Sequence, residues 1–147
     1  MCPKACENFI KLCTSTTNQR QYLNCPIHRI VKNGWFQTGD IIDGSGKNSL
    51  AVLNEAGFVQ DECFSVDFGF KLGGIVGYAN SGPHSNGSQF FVTLGPSEWM
   101  NNSFIGFGRV IQGFSVLKAI NNVSCSNQVP NKTIVIGNAG HVKDKRY

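Results

Sequence analysis

Apolar residues return every three or four positions near the start of the chain and every second position through most of the remainder. In the opening stretch CPKACENFIKLC, Ala5, Phe9 and Leu12 fall at i, i+4 and i+7, and Pro3 suits a first turn. That spacing predicts a helix. FSVLKAINNV predicts a second, with Phe114, Leu117 and Ile120 along one face. Elsewhere the period shortens. PIHRIVKNGWFQTGD predicts two short strands broken by the turn Lys32-Asn33-Gly34, GGIVGYAN and GFGRVIQG one strand each, and KTIVI a last strand over Thr133 to Ile136. TSTTNQRQ reads as a loop, and residues 41–60 as a long excursion over the surface.

The stretch SGPHSNGSQFFVTL, Ser81 to Leu94, changes from turn-forming residues to a strand. Alternation puts Gln89, Phe91 and Thr93 on one face and Phe90, Val92 and Leu94 on the other, which is the core face. The first face sets an amide beside an aromatic ring, a combination suited to gripping a peptide: the ring desolvates and the amide bonds backbone. A plain hairpin with one half-exposed phenylalanine fits the same pattern. Short strands, frequent turns and two distant helices, without strand–helix–strand alternation, predict a mainly β antiparallel barrel or sandwich with helical plugs. With 147 residues and no repeat or linker, the expectation is a single domain over 1–147.

Composition narrows the chemistry. Hydrophobic residues make up 41% and charged residues 15%, which argues against disorder. The net charge of +4 is mild and sits partly in the tail HVKDKRY, so nucleic acid is not an expected partner. The longest apolar runs are too short to span a membrane. Six cysteines form no CxxC pair, and His28, His84 and His141 keep no zinc-ligand interval, so neither metal nor cofactor is expected. Buried or free thiols in a reducing, cytoplasmic compartment are the expectation. In a chain rich in Asn and Ser, four N-x-S/T triplets read as coincidence.

Gly87-Ser88-Gln89 is not a nucleophile elbow, and no nucleophile–base pair, phosphate loop or carboxylate cluster is visible. What stands out is a set of groups that do not titrate near neutrality: Arg29, Gln37, Asn80, Gln89, Phe91, Trp99 and Phe104. Arg29 and Gln37 lie on successive predicted strands at positions that can share a face. Arg29 also reads as a solvated cation and Trp99 as a loop anchor. One reaction needs polar donors and rings but no acid or base. Rotation about an Xaa-Pro bond breaks no covalent bond, and its barrier of about 18–20 kcal/mol comes from amide resonance. A donor near the proline nitrogen stabilises the twisted amide.

HRIV…GWFQTGD, GYANSGPHSNGSQFFVTL, EWMNNSFIGFGRV and GFSVLKAI together, in this order, resemble the cyclophilin family of peptidyl-prolyl cis-trans isomerases across nearly the whole chain. The resemblance implies an antiparallel barrel capped by two helices, with the proline site on its outer surface. It implies Arg29 as the catalytic arginine and Gln37 as the glutamine beside it. It places Ala79, Asn80 and Ser81 against substrate backbone, Gln89 and Phe91 in the site, and Trp99 and Met100 at the rim. Implied partners are proline-containing polypeptides and, with weakened fit, cyclosporin-type cyclic peptides. Three departures stand out. The family's pocket phenylalanine falls on Gly34, with Trp35 at the next position, and its pocket histidine falls on Phe104. NGWFQTGD is similar to a divergent branch, the isomerase-like protein six group, whose activity is in question. The family's first two strands have no counterpart before Pro3, which implies an open barrel, unpaired backbone and association.

Overall fold

The structure is a computed structural model and describes residues 2–16, 20–64 and 69–142. The tail HVKDKRY and the loop TSTTNQRQ lie partly outside them. Helix α1 spans Pro3–Thr14, and the side chains of Ala5, Asn8 and Leu12 face inward. Strands β1 (Arg29–Val31) and β2 (Trp35–Thr38) form a hairpin. Asn33 takes the left-handed conformation in its turn, at φ 61°. Strands β3 (Ile75–Tyr78), β4 (Phe90–Thr93) and β5 (Gly106–Arg109) complete an antiparallel sheet of order β1-β2-β4-β3-β5. Helix α2 spans Phe114–Asn121. A small hairpin follows, β6 (Cys125–Ser126) with β7 (Val129–Pro130), which the pattern of hydrophobic positions did not announce.

The sheet is covered on both faces. Ile30, Phe36, Tyr78, Phe90 and Val92 point to one side, where Ala5, Leu12 and Tyr22 pack on them with Ile120 of α2. This is the main core. Arg29, Gln37, Phe91 and Gly77 are partners across four neighbouring strands and so share the opposite face. Gly77 matters there, because a Cβ at this position would meet Phe91 Cζ at 2.6 Å. Without a side chain, β3 lets the Phe91 ring lie across it.

The predicted last strand is reduced to one bridge, Pro26 with Val135. Ile27 N donates to Ile134 O at 2.8 Å and Ile136 N to Cys25 O at 3.0 Å, so the segment is paired along one side. Among the described residues the sheet does not close into a barrel, in keeping with the open barrel expected. Between the segment 134–136, α2 and the sheet runs an open apolar groove of about 680 Å³, with Phe9, Phe36, Phe90 and Ile120 in its lining.

Candidate functional site

The outer face of the sheet holds a polar half and an aromatic half. The polar half is organised by Asp40, two residues after β2. Its carboxylate accepts the backbone N–H groups of Ile42 and Gly46 at 3.0 and 2.9 Å and of Asn48 at 3.1 Å, winding residues 41–48 into a compact loop. That loop presents the carbonyls of Gly46 and Asn48, and Gln89 Nε2 donates to both, at 2.9 and 2.8 Å. Gln37 Nε2 in turn donates to Gln89 Oε1 at 2.7 Å.

This bears on why a lone amide opens a hydrophobic strand. Gln89 is 5% exposed, and its amide ties the strand to the protein's own loop. The peptide-gripping amide expected at this position is therefore engaged internally. Ser49 Oγ reinforces the same junction by accepting the N–H groups of Ser88 and Gln89, both at 3.0 Å. A second brace comes from α1. The Asn8 side chain is buried, donates to Gly87 O at 3.0 Å and Tyr78 OH at 2.9 Å, and accepts from Val52 N at 2.8 Å. The sequence carried a signal for Asn8: an amide three residues from Ala5 and four from Leu12, on the helix's apolar stripe.

Arg29 is exposed at the edge of this half. Its Nε donates to Gln128 Oε1 at 2.7 Å, and its guanidinium carbon lies 5.3 Å from the centre of the Trp35 ring. One edge of the fork is thus pinned and one face stacked. Gln128 was missed in the sequence. It sits in the tight β6–β7 turn with Asn127, both left-handed at φ 68° and 51°, a turn carried without the glycine that normally marks it. Ile30 N donating to Gln128 O at 2.8 Å fixes that turn beside β1.

The aromatic half differs from expectation. Phe91 is 2% exposed and Met100 1%, and with Phe70 they form a second, small core. Met100 therefore lies beneath the site and not on its rim. Trp35 and Phe104 pack over this core, with Phe91 and Phe104 edge to face at 5.7 Å. Trp99, 63% exposed, stands at the outside, 5.6 Å from Trp35 and 6.1 Å from Phe104. Rings of the protein itself thus fill the space below the surface. Asn80 donates to Ser103 O at 3.0 Å, which holds the half-buried Ala79–Asn80 segment against the turn bearing Phe104. Ser81 is exposed at the end of that wall, its N–H donating to Ser85 Oγ at 2.9 Å. Gly34 keeps a negative φ, and a Cβ there would touch Val31 Cγ1 at 3.1 Å.

Arg29, Gln37, Gln89 and Phe91, drawn from three stretches of sequence, are thus brought onto one face. Residues 1–141 match the profile of the cyclophilin type peptidyl-prolyl cis-trans isomerase/CLD family. The chain belongs to the cyclophilin family. It is 41% identical to the human probable inactive peptidyl-prolyl cis-trans isomerase-like 6, over 88% of this chain and 42% of the relative. Its identity to the bovine protein of the same name is 37%, over 96% of this chain and 47% of that protein. A peptidyl-prolyl cis-trans isomerase of Arabidopsis thaliana is 38% identical, over 97% of this chain and 66% of its own length. The chain spans less than half the length of the two animal relatives. Cyclophilins as a family bind proline-containing peptides. No group of three or more His, Cys, Asp or Glu placed to hold a metal occurs among the described residues.

Proposed function

We propose that this cyclophilin binds proline-containing polypeptide segments across the Arg29 face and accelerates rotation about the Xaa-Pro bond. The observation that carries the reading is Arg29 itself, exposed, stacked on Trp35 and held through Nε by Gln128. Pinning Nε leaves the outer edge of the guanidinium directed by the fold and not by the ligand. A fixed donor of this kind favours a twisted amide, whose nitrogen has regained its lone pair, over either planar isomer. The proline ring would rest on Trp35, Phe104 and Trp99, and the 79–81 segment would flank the peptide backbone.

A second reading, binding without catalysis, is supported by the filled aromatic half. Phe91 and Met100 are buried, and Gly34 contributes no ring, so the seat is shallow. The two readings separate in a protease-coupled assay on an Xaa-Pro peptide, run beside a binding isotherm for the same peptide. Isomerisation predicts a rate that rises linearly with protein concentration. Saturable binding with no rate gain would support the module that only binds.

A further inference from the structure

Two of the six cysteines are in contact. Cys2 immediately precedes α1 and is buried, Cys63 is half-buried, and their Sγ atoms are 3.0 Å apart although the residues are 61 positions apart in sequence. The backbone on both sides is held. The Glu62 carboxylate accepts the N–H groups of Lys4 at 3.0 Å and Ala5 at 2.9 Å, capping the first turn of α1. On the other flank Val59 bridges to Asn86, and Asn86 Nδ2 donates to Asp61 Oδ1 at 2.8 Å. The sulfurs therefore face each other because 59–63 is fastened at both ends. A disulfide needs them at about 2.05 Å, roughly one ångström closer. Cys6, Cys25 and Cys125 instead direct their sulfurs to backbone carbonyls.

We propose that Cys2 and Cys63 are a reversible oxidation site, closing to a disulfide that ties the start of α1 to the 59–63 segment. The two thiols divide the chemistry. Burial pushes Cys2 up to about 12, whereas the hydrogen bond from Cys2 holds Cys63 below its ordinary value. Cys63 is thus the nucleophile and Cys2 the resolving thiol. With a small disulfide such as oxidised glutathione, the Cys63 thiolate attacks one sulfur and releases one glutathione thiolate. Cys2 then loses its proton, and its sulfur attacks Cys63 Sγ and displaces the second. Two protein thiols are oxidised by two electrons, one glutathione disulfide is reduced to two thiols, and the departing thiolates take up the protons.

The test incubates the full chain with oxidised glutathione, blocks free thiols, digests with trypsin and identifies peptides by mass spectrometry. Cys2 falls in the fragment ending at Lys4 and Cys63 in the fragment Asn48–Lys71, and neither fragment contains another cysteine. The proposal expects these two joined by a disulfide and separated by dithiothreitol. It also expects a melting temperature higher by about 10 °C in the oxidised form, as closing so long a loop implies. Cys63→Ser should abolish both changes. Glutathione retained on Cys63 with Cys2 free, both thiols unmodified, or Cys2 joined to a different cysteine would each overturn it.

Discussion

Neighbouring phenylalanines on β4 are both almost fully buried, and they lie in different kinds of surroundings. Phe90 faces inward, its ring 5.0 Å from those of Phe9 and Tyr22, in a core that reaches from Cys2 to Ile120. Phe91 faces outward into a layer of three buried residues, roofed by Trp35 and Phe104. The inner face joins both helices to the sheet, so its packing is the fold. The outer face is one side chain thick, and its roof is the surface a ligand would meet. Equal burial therefore does not mean equal purpose. On the inner face apolar contacts act on the folded state alone, while on the outer face they also set the floor beneath Arg29.

The comparison breaks first if the two rings are equivalent in stability. Phe90→Ala should cost about 4–5 kcal/mol, since the cavity opens among rings fixed from several directions. Phe91→Ala should cost about 3 kcal/mol, because Trp35 and Phe104 can settle into the vacated space. Chemical denaturation of both variants measures the difference, and equal losses would show the outer layer to be as rigid as the core.

Filling the outer face should have a smaller effect on ligand. Gly34 has no backbone requirement for glycine; a Cβ there meets Val31 Cγ1 at 3.1 Å and Val31 O at 3.4 Å, so Gly34→Phe adds a ring next to Trp35 once the Val31 side chain gives slightly. We expect several-fold tighter binding of a proline peptide, about 1 kcal/mol. A folded variant without gain would mean that Trp35 already occupies the ground a new ring would cover.

A third test concerns the polar half. Burial lowers the His28 pKa from its ordinary 6.5, with Asp40 opposing the shift and Arg29 adding to it. The folded protein then binds fewer protons than the unfolded chain below about pH 6.5. Its contribution to stability is complete above that pH and declines as pH falls toward the lowered folded value. Melts at pH 7.5 and 5.5 should show a drop that His28→Gln reduces. The same drop in the variant would exclude His28 as its source.

Much of this contrast was legible in the chain. The period of two separated Gln89 and Phe91 from Phe90 and Val92, and Arg29 and Gln37, read as able to share a face, are register partners across β1 and β2. What alternation could not show was the cover on the second face. Phe70 comes from a loop and Met100 from a single 3-10 turn, Glu98–Met100, each too short to show a periodicity, so the outer face read as half exposed. Gln128 was hidden for a related reason: its turn uses side chains in left-handed geometry where a glycine would have signalled a hairpin. The bonds of Gln89 to Gly46 and Asn48 depend on a loop wound around one carboxylate, a tertiary fact that no local pattern encodes.

The assignment of the two faces rests on Arg29, which should matter to function and little to the fold. The most direct measurement takes the wild-type protein and Arg29→Ala through a thermal melt and a protease-coupled isomerisation assay at equal concentration. The account predicts a melting temperature that barely moves, because the guanidinium is exposed and its contacts among the described residues are Gln128 and Trp35. It predicts kcat/KM lower by about two orders of magnitude, roughly 3 kcal/mol of lost transition-state stabilisation. A folded Arg29→Ala variant with undiminished turnover would contradict it.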